Sequence, residues 1–330
     1  MSQALASLFA TRRAGVLLHP TSLPPVSASG GFGAPSRHFI DFLASAGMGV
    51  WQMLPLGPTH IDGSPYQLLG VHAGNPELLD CEWLVEQDLL LPGELQQAEA
   101  GDSGCQALRQ LAAERFGRLC RQVPGTSLVQ GYQDFCAAQS HWLDDYVLFV
   151  ALREQQGMQP WYQWPEALRD RQAEALEAAR TELAAHCDRL RFEQFAFDRQ
   201  WQGIREYAAA RGVLLFGDMP IFVHLDSADV WAGRGYFRLD EDGRPAVVTG
   251  VPPDYFSSQG QRWGNPHYDW YAMAQDGYRW WVERVRSQRR LFDLIRVDHF
   301  RGFQACWEID SRTEDASDGR WVESPGDAVF

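Results

Sequence analysis

The sequence predicts an α/β fold, an incomplete (β/α)8 TIM barrel of which it carries the first half, and three observations support this. Four short apolar runs stand at residues 15–18, 50–54, 213–216 and 291–297, each followed by polar or turn residues and, downstream, by helical periodicity. The first two runs are joined by a helix, which implies a parallel pair because a crossover of that kind returns the chain in the same direction. Between the second and third runs the period changes to that of helices.

Each element has its local reason. The first run, GVLL, leads into a Gly-, Pro- and Ser-rich loop, and the helix after it is expected from about Ser36 as N-cap. Phe39, Phe42, Leu43 and Ala46 fall on one face of that helix, and Gly47 can close it. From residue 82 to 211 the spacing is helical, as in Leu108, Leu111, Ala112, Phe116 and Leu119, and the charge-rich stretch 166–191 predicts a solvated helix face. A helix is expected over 277–289, just before the fourth run. Residues 236–245 (YFRLDEDGRP) predict a hairpin around an acidic Gly turn; its D-x-D-G fragment lacks the bidentate Glu that a calcium loop places at position twelve. The expected organisation is therefore 1–81 for the barrel start and 82–212 for a helical insertion after the second strand. Residues 213–330 continue the barrel, with a long aromatic loop insertion after the third strand at about 233–270.

Composition narrows the chemistry. A net charge of −14 repels a phosphate backbone, so nucleic acid is not expected as a partner. All 29 basic residues are arginine, and without lysine these residues offer neither a Schiff-base amine nor a P-loop lysine. The six cysteines, Cys81, Cys105, Cys120, Cys136, Cys187 and Cys306, lack metal or disulfide spacing and are expected as reduced core fillers. No apolar run is long enough to span a bilayer, and MSQALASLFATRRAG lacks the order of an export signal. A cytoplasmic location without membrane association is expected.

Candidate catalytic groups follow from strand ends. Asp218 and Asp298 stand where the third and fourth runs finish, the end of a barrel at which catalytic groups gather. Arg296 lies two residues before Asp298, hence on the same strand face, where its cation favours the ionised carboxylate. An ionised, held carboxylate can act as nucleophile or charge stabiliser. The loops are rich in rings and amides: Ser64 and Tyr66 in SPYQ, then Tyr255, Phe256, Trp263 and Asn265 in PPDYFSSQGQRWGNP. Rings stack on the apolar faces of sugars while amides satisfy hydroxyls, so a glycan groove is expected; the Pro, Gly and Ser between them predict that Tyr255, Phe256 and Trp263 are exposed.

The segments AGVLLHPTSLPP, WQMLPLGPTHIDGSPYQ, FGDMPIFVHLDSADVWA, GVPPDYFSSQGQRWGNPHYDW and LIRVDHFRGFQACWEI together resemble the amylomaltase (disproportionating enzyme) family, glycoside hydrolase family 77. The resemblance runs from Ala14 to about Trp321 and is weakest in the helical insertion. It implies a retaining 4-α-glucanotransferase acting on α-1,4-glucans and maltooligosaccharides, without a cofactor. It further implies that Asp298 is the nucleophile, Arg296 its support and Asp218 a site-organising acid. By the same resemblance Tyr66 lies at the donor subsite, with Ser64 in the same motif; His299 binds a hydroxyl, and Tyr255 and Phe256 belong to a loop over the acceptor side. The family's general acid lies beyond the segment RWVESPGDAVF. Neither Glu308 nor Glu323 matches it, so the chain is expected to be an amino-terminal part, inactive by itself.

Three other readings share some of these residues. An α-glucan hydrolase of the same barrel class would release glucose and maltose rather than a ladder of oligomers. A non-catalytic glycan-binding protein would keep the rings without the chemistry. A dinucleotide loop at residues 30–33 fails the G-x-G-x-x-G spacing and lacks the ribose-binding acid after the second run.

Overall fold

A computed structural model describes residues 10–24, 31–98, 104–255 and 257–330. The first strand, β1 (Gly15–Leu17), leads through helix α1 (Ala34–Ser45) to β2 (Val50–Gln52). Helix α1 starts two residues before the expected cap: Gly33 holds the N-cap, and Ser36 sits in the first turn with its hydroxyl donated to the Gly31 carbonyl. Its buried stripe is centred on Ile40 and Leu43, whereas Phe42, expected on that face, is largely exposed. Gly47 follows the C-cap in the left-handed region (φ +72°), the conformation a helix stop favours in glycine.

Among the described residues, seven α-helices fill the stretch before the third strand: α2 (Cys81–Glu86), α3 (Pro92–Ala98), α4 (Gly104–Gln122), α5 (Ser127–Gln155), α6 (Glu166–Arg169), α7 (Ala173–Glu182) and α8 (Ala184–Ala209). Phe116 of α4, Phe149 of α5 and Phe195 of α8 are buried in one core, with Trp161 and Trp164 from the α5–α6 connection. Leu108, Ala112 and Phe116 are buried as their spacing predicts.

Strand β3 (Leu214–Met219) returns beside β2, followed by a short helix α9 (Ala228–Ala232) and strands β4 (Val247–Val251) and β5 (Gln261–Pro266). Helices α10 (Trp270–Gln275) and α11 (Arg279–Leu291) precede β6 (Leu294–Val297), and β7 (Ala305–Asp310) and β8 (Gly319–Glu323) follow it. The fourth apolar run thus begins as the last turn of α11, because Leu291 is still helical.

The first sheet has order β1-β2-β3-β6 and is parallel throughout, with Gly15 opposite Val50, Val50 opposite Leu214, and Phe216 opposite Leu294. Trp51 and Leu215 on one face are fully buried in a core shared with Ile40, Leu43 and Trp201. The opposite face, carrying Leu17, Gln52, Phe216 and Leu294, lines a shallow cavity of about 330 Å³. Gly217 is required where it stands: a Cβ there would lie 2.2 Å from the Phe292 ring, which packs against the strand just before β6. Asp293 locks the same junction, accepting from Leu215 N at 2.9 Å and pairing with Arg205 at 3.0 Å.

The second sheet, order β5-β4-β7-β8, is antiparallel and was not expected. Its strands are short, and Gly250, Gly264 and Pro266 interrupt their alternation, with a register shift between Val248 and Gly250. The hairpin expected over 236–245 is a turn without strands. Asp240 N donates to Arg244 O at 2.9 Å, while Phe237 bridges instead to Tyr268. The acidic side chains of that turn serve local bonds, Asp240 to Arg244 N and Asp242 to Arg169. None of the six cysteines is in a disulfide, and no described helix is long and apolar enough to cross a membrane.

Candidate active site

Parallel register sets the centre of the site. Asp218 of β3 lies directly opposite Arg296 of β6, and both project from the face that carries Phe216 and Leu294. Arg296 Nη1 donates to Asp218 Oδ2 at 2.7 Å, and its Nη2 donates to Asp298 Oδ1, so one guanidinium joins both carboxylates. Asp298 follows β6 immediately, with its backbone N–H donating to Met219 O at 2.9 Å. Burial works against the Arg296 charge, but Asp218 and Asp298 outweigh it and raise the pKa. Two carboxylates around one cation leave a net negative site.

Tyr66 arrives from a loop closed by a bridge between Thr59 and Leu68. Its hydroxyl donates to Asp218 Oδ2 at 2.7 Å, the oxygen that also receives Arg296. Burial, then the bond to Asp218, pushes the phenol up to about 12, so it stays a donor at working pH. Ser64 opens the turn that delivers Tyr66, its carbonyl accepting from Gln67 N at 3.1 Å. Asp218 is buried, and its Oδ1 has no hydrogen-bond partner among the described residues. Such an atom suits a ligand hydroxyl.

His299 adopts φ +51°, a left-handed conformation uncommon for a non-glycine residue. Its ring meets Trp263 edge to face at 4.9 Å, with Phe222 at 6.4 Å. Burial lowers the His299 pKa, partly countered by Asp298, which favours the neutral imidazole, and Nε2 is buried without a partner among the described residues. Trp263 is half-buried on β5 rather than in an open loop, because the second sheet holds it against His299. Asn265 is on the same strand and braces the turn after β3, donating to Val223 O at 2.8 Å. Tyr255 is 97% exposed, as expected. Phe256 lies outside the described residues.

Two positions escaped the sequence reading. Phe222 packs behind both Trp263 and His299, and Arg284 of α11, almost fully buried, donates to Ile221 O at 2.9 Å and to Pro220 O. An arginine one turn from Trp281 on a helix face was the available signal. The late glutamates are elsewhere. Glu308 is buried between Arg238 and Arg320, each at 2.6 Å, and Glu323 lies exposed on β8.

A family model described as 4-alpha-glucanotransferase (Glyco_hydro_77) matches residues 18–330. The chain belongs to that family. It is 40% identical over 321 residues to a 4-alpha-glucanotransferase of Aquifex aeolicus, covering 97% of this chain and 65% of the relative. With the 4-alpha-glucanotransferase of Thermus thermophilus it shares 43% over 322 residues, covering 97% of this chain and 64% of the relative. The chain thus spans just under two thirds of the length of these 4-alpha-glucanotransferases. A solved amylomaltase from Streptococcus agalactiae in complex with acarbose superposes with a TM-score of 0.89 at 33% identity, covering 97% of this chain and 66% of that one. An amylomaltase from Corynebacterium glutamicum, 18% identical, shares the fold with a TM-score of 0.72, covering 99% of this chain and 46% of that one.

Proposed function

We propose that this chain carries the nucleophile half of a retaining 4-α-glucanotransferase, with α-1,4-glucans and maltooligosaccharides as donors and acceptors. The observation that carries the proposal is the single guanidinium of Arg296 bridging Asp218 and Asp298. Arg296 holds Asp298 in place, and Asp298 attacks the anomeric carbon. As the bond to the leaving chain breaks, positive charge grows at that carbon, where the net negative site stabilises it. The result is a covalent β-glucosyl ester, which the 4-hydroxyl of a second sugar displaces with net retention. Asp218 and Tyr66 take ring hydroxyls, His299 another, and Trp263 offers a ring face. Tyr255 and Phe256 belong to the acceptor side, where covering the ester favours sugar over water. No step in this scheme draws on a cofactor.

The parallel sheet is, in this reading, four staves of a (β/α)8 barrel whose interior is the face of Leu17, Gln52, Phe216 and Leu294. Residues 82–212 form its helical insertion and about 233–270 its loop insertion. The general acid comes from outside these residues; the commitment of Glu308 to two arginines supports this. A cytoplasmic location fits the α-glucan substrates.

The nucleophile is tested with a 5-fluoro-α-glucosyl fluoride, whose leaving group needs no acid. Mass spectrometry should find the adduct on the peptide containing Asp298, and none in Asp298→Asn. An adduct on another carboxylate would sink the assignment. The acid is tested with maltotriose: this chain alone should run about two to four orders of magnitude below a complete enzyme. Oligomer laddering at a full rate would return the acid to these residues.

A further inference from the structure

Away from the carboxylate centre lies a cavity of about 620 Å³, within the range of about 300–1,000 Å³ usual for small-ligand sites. It opens between α5, the turn after α9, and α11, and shares no lining residue with Tyr66, Asp218, Arg296, Asp298 or His299. Three partly exposed aromatic rings face it, Trp142 of α5, Trp280 of α11 and Tyr236, with the buried Tyr146 of α5 behind them.

The charges around the rings are already matched. Asp145 receives Arg171 at 2.7 Å, and Glu283 pairs with Arg286 at 2.6 Å and faces His141 at 3.7 Å. Arg279 stands 3.7 Å from Asp276. The Asp229 carboxylate accepts from Val71 N at 2.9 Å. His72, bonded to the Ser287 hydroxyl at 2.7 Å, is pushed down to about 3 by burial and stays neutral. An anion would meet three carboxylates, and a cation would find each of the two rim carboxylates already paired. Half-exposed rings among satisfied polar groups suit a neutral ligand with apolar faces and hydroxyls.

We infer that this cavity is a second carbohydrate site, binding a neutral α-glucan segment between Trp142 and Trp280 and apart from the catalytic centre. The sugar class rests on the glucan reading above, whereas the location rests on the cavity itself. Its floor, Gly70 to His72, begins four residues after Tyr66 in the same β2 loop, so a chain held there is tethered near the active site.

The test is calorimetric titration of this chain with maltotetraose, with thermal unfolding run on every variant. Wild type should show two binding events. Trp142→Ala removes one wall, and Ala232→Trp fills the cavity while leaving all three rings in place. Each should weaken one event about tenfold or more and spare the other, which Tyr66→Ala removes. If both cavity variants titrate like wild type, or if no protein binds the sugar, the inference fails. A single event lost only in Tyr66→Ala also overturns it, yet leaves the active-site proposal standing. A single event lost only in the cavity variants upholds it and sinks that proposal.

Discussion

The two four-stranded sheets formed by the described residues are equal in strand number and opposite in construction. In the parallel sheet, Trp51 and Leu215 are completely buried and the charges of the proposed site sit at strand ends, joined across β3 and β6 by register. In the antiparallel sheet, β4 and β7 pair a buried Thr249 with a buried Glu308, and the contribution to the proposed site is a ring, Trp263 on the edge strand β5. The parallel sheet positions charge against charge, and the antiparallel sheet leans an aromatic surface over it through the contact of Trp263 with His299. Charge placement tolerates little error because a buried carboxylate without its partner is costly, whereas a ring can shift and still stack.

The largest break in this comparison should come from Arg296→Met. It leaves the buried Asp218 with only the Tyr66 hydroxyl, and urea denaturation should show a loss of about 3 kcal/mol. A loss below half that would mean that Asp218 does not need the cation, and the parallel sheet would not be the charge-bearing one.

A second effect lies beside the first, in the loop that delivers Tyr66. The His60 ring packs at a tilt against that of His224, with centroids 4.2 Å apart, and Arg153 donates to Asp226 at 2.9 Å alongside them. Burial, then His224, pushes the His60 pKa down to about 4 from 6.5, although Asp226 and Asp62 pull it up. The unfolded chain therefore takes up a proton that the folded chain refuses. Stability from this group is complete above pH 6.5 and is lost as pH falls to about 4. The loss should reach about 2 kcal/mol, less than the full shift converts to, since solvent reaches part of this group and screens the new charge. His60→Gln should flatten this limb of a thermal-melt pH series, and an unchanged slope would place the acid sensitivity elsewhere.

The smallest effect sharpens the contrast from the other sheet. Glu308 also bridges two arginines, but Arg238 and Arg320 are both well exposed and recover solvation when the carboxylate is neutralised. Glu308→Gln should cost about 1 kcal/mol, measured as Arg296→Met is. Equal losses in the two variants would erase the distinction between the sheets.

The parallel sheet was legible because parallel strands are meant for burial on both faces and read as near-continuous apolar runs, and a β-strand's period of two put Arg296 and Asp298 together without any knowledge of the tertiary fold. The second sheet was not legible. Strand β5 reads QRWGNP, with a glycine, a proline and four polar or ring residues, and becomes a strand only because β4 supplies its partners. The same cause misplaced Trp263 and Asn265 in a loop and drew a hairpin over residues 236–245, where Phe237 finds its partner 31 residues downstream at Tyr268.

By itself the sequence determined the strand ends, the acids on them, the arginine between and the rings nearby, because these depend on local period and residue chemistry. Tertiary structure alone decided that Asp218 faces Arg296 across two strands, that Tyr66 closes on the same oxygen, and that His299 is held left-handed against Trp263. It also decided that Trp142 and Trp280, 138 residues apart, share one cavity. Those facts join residues distant in sequence, and the free energy that fixes them comes from packing and pairing between elements, which no local window contains.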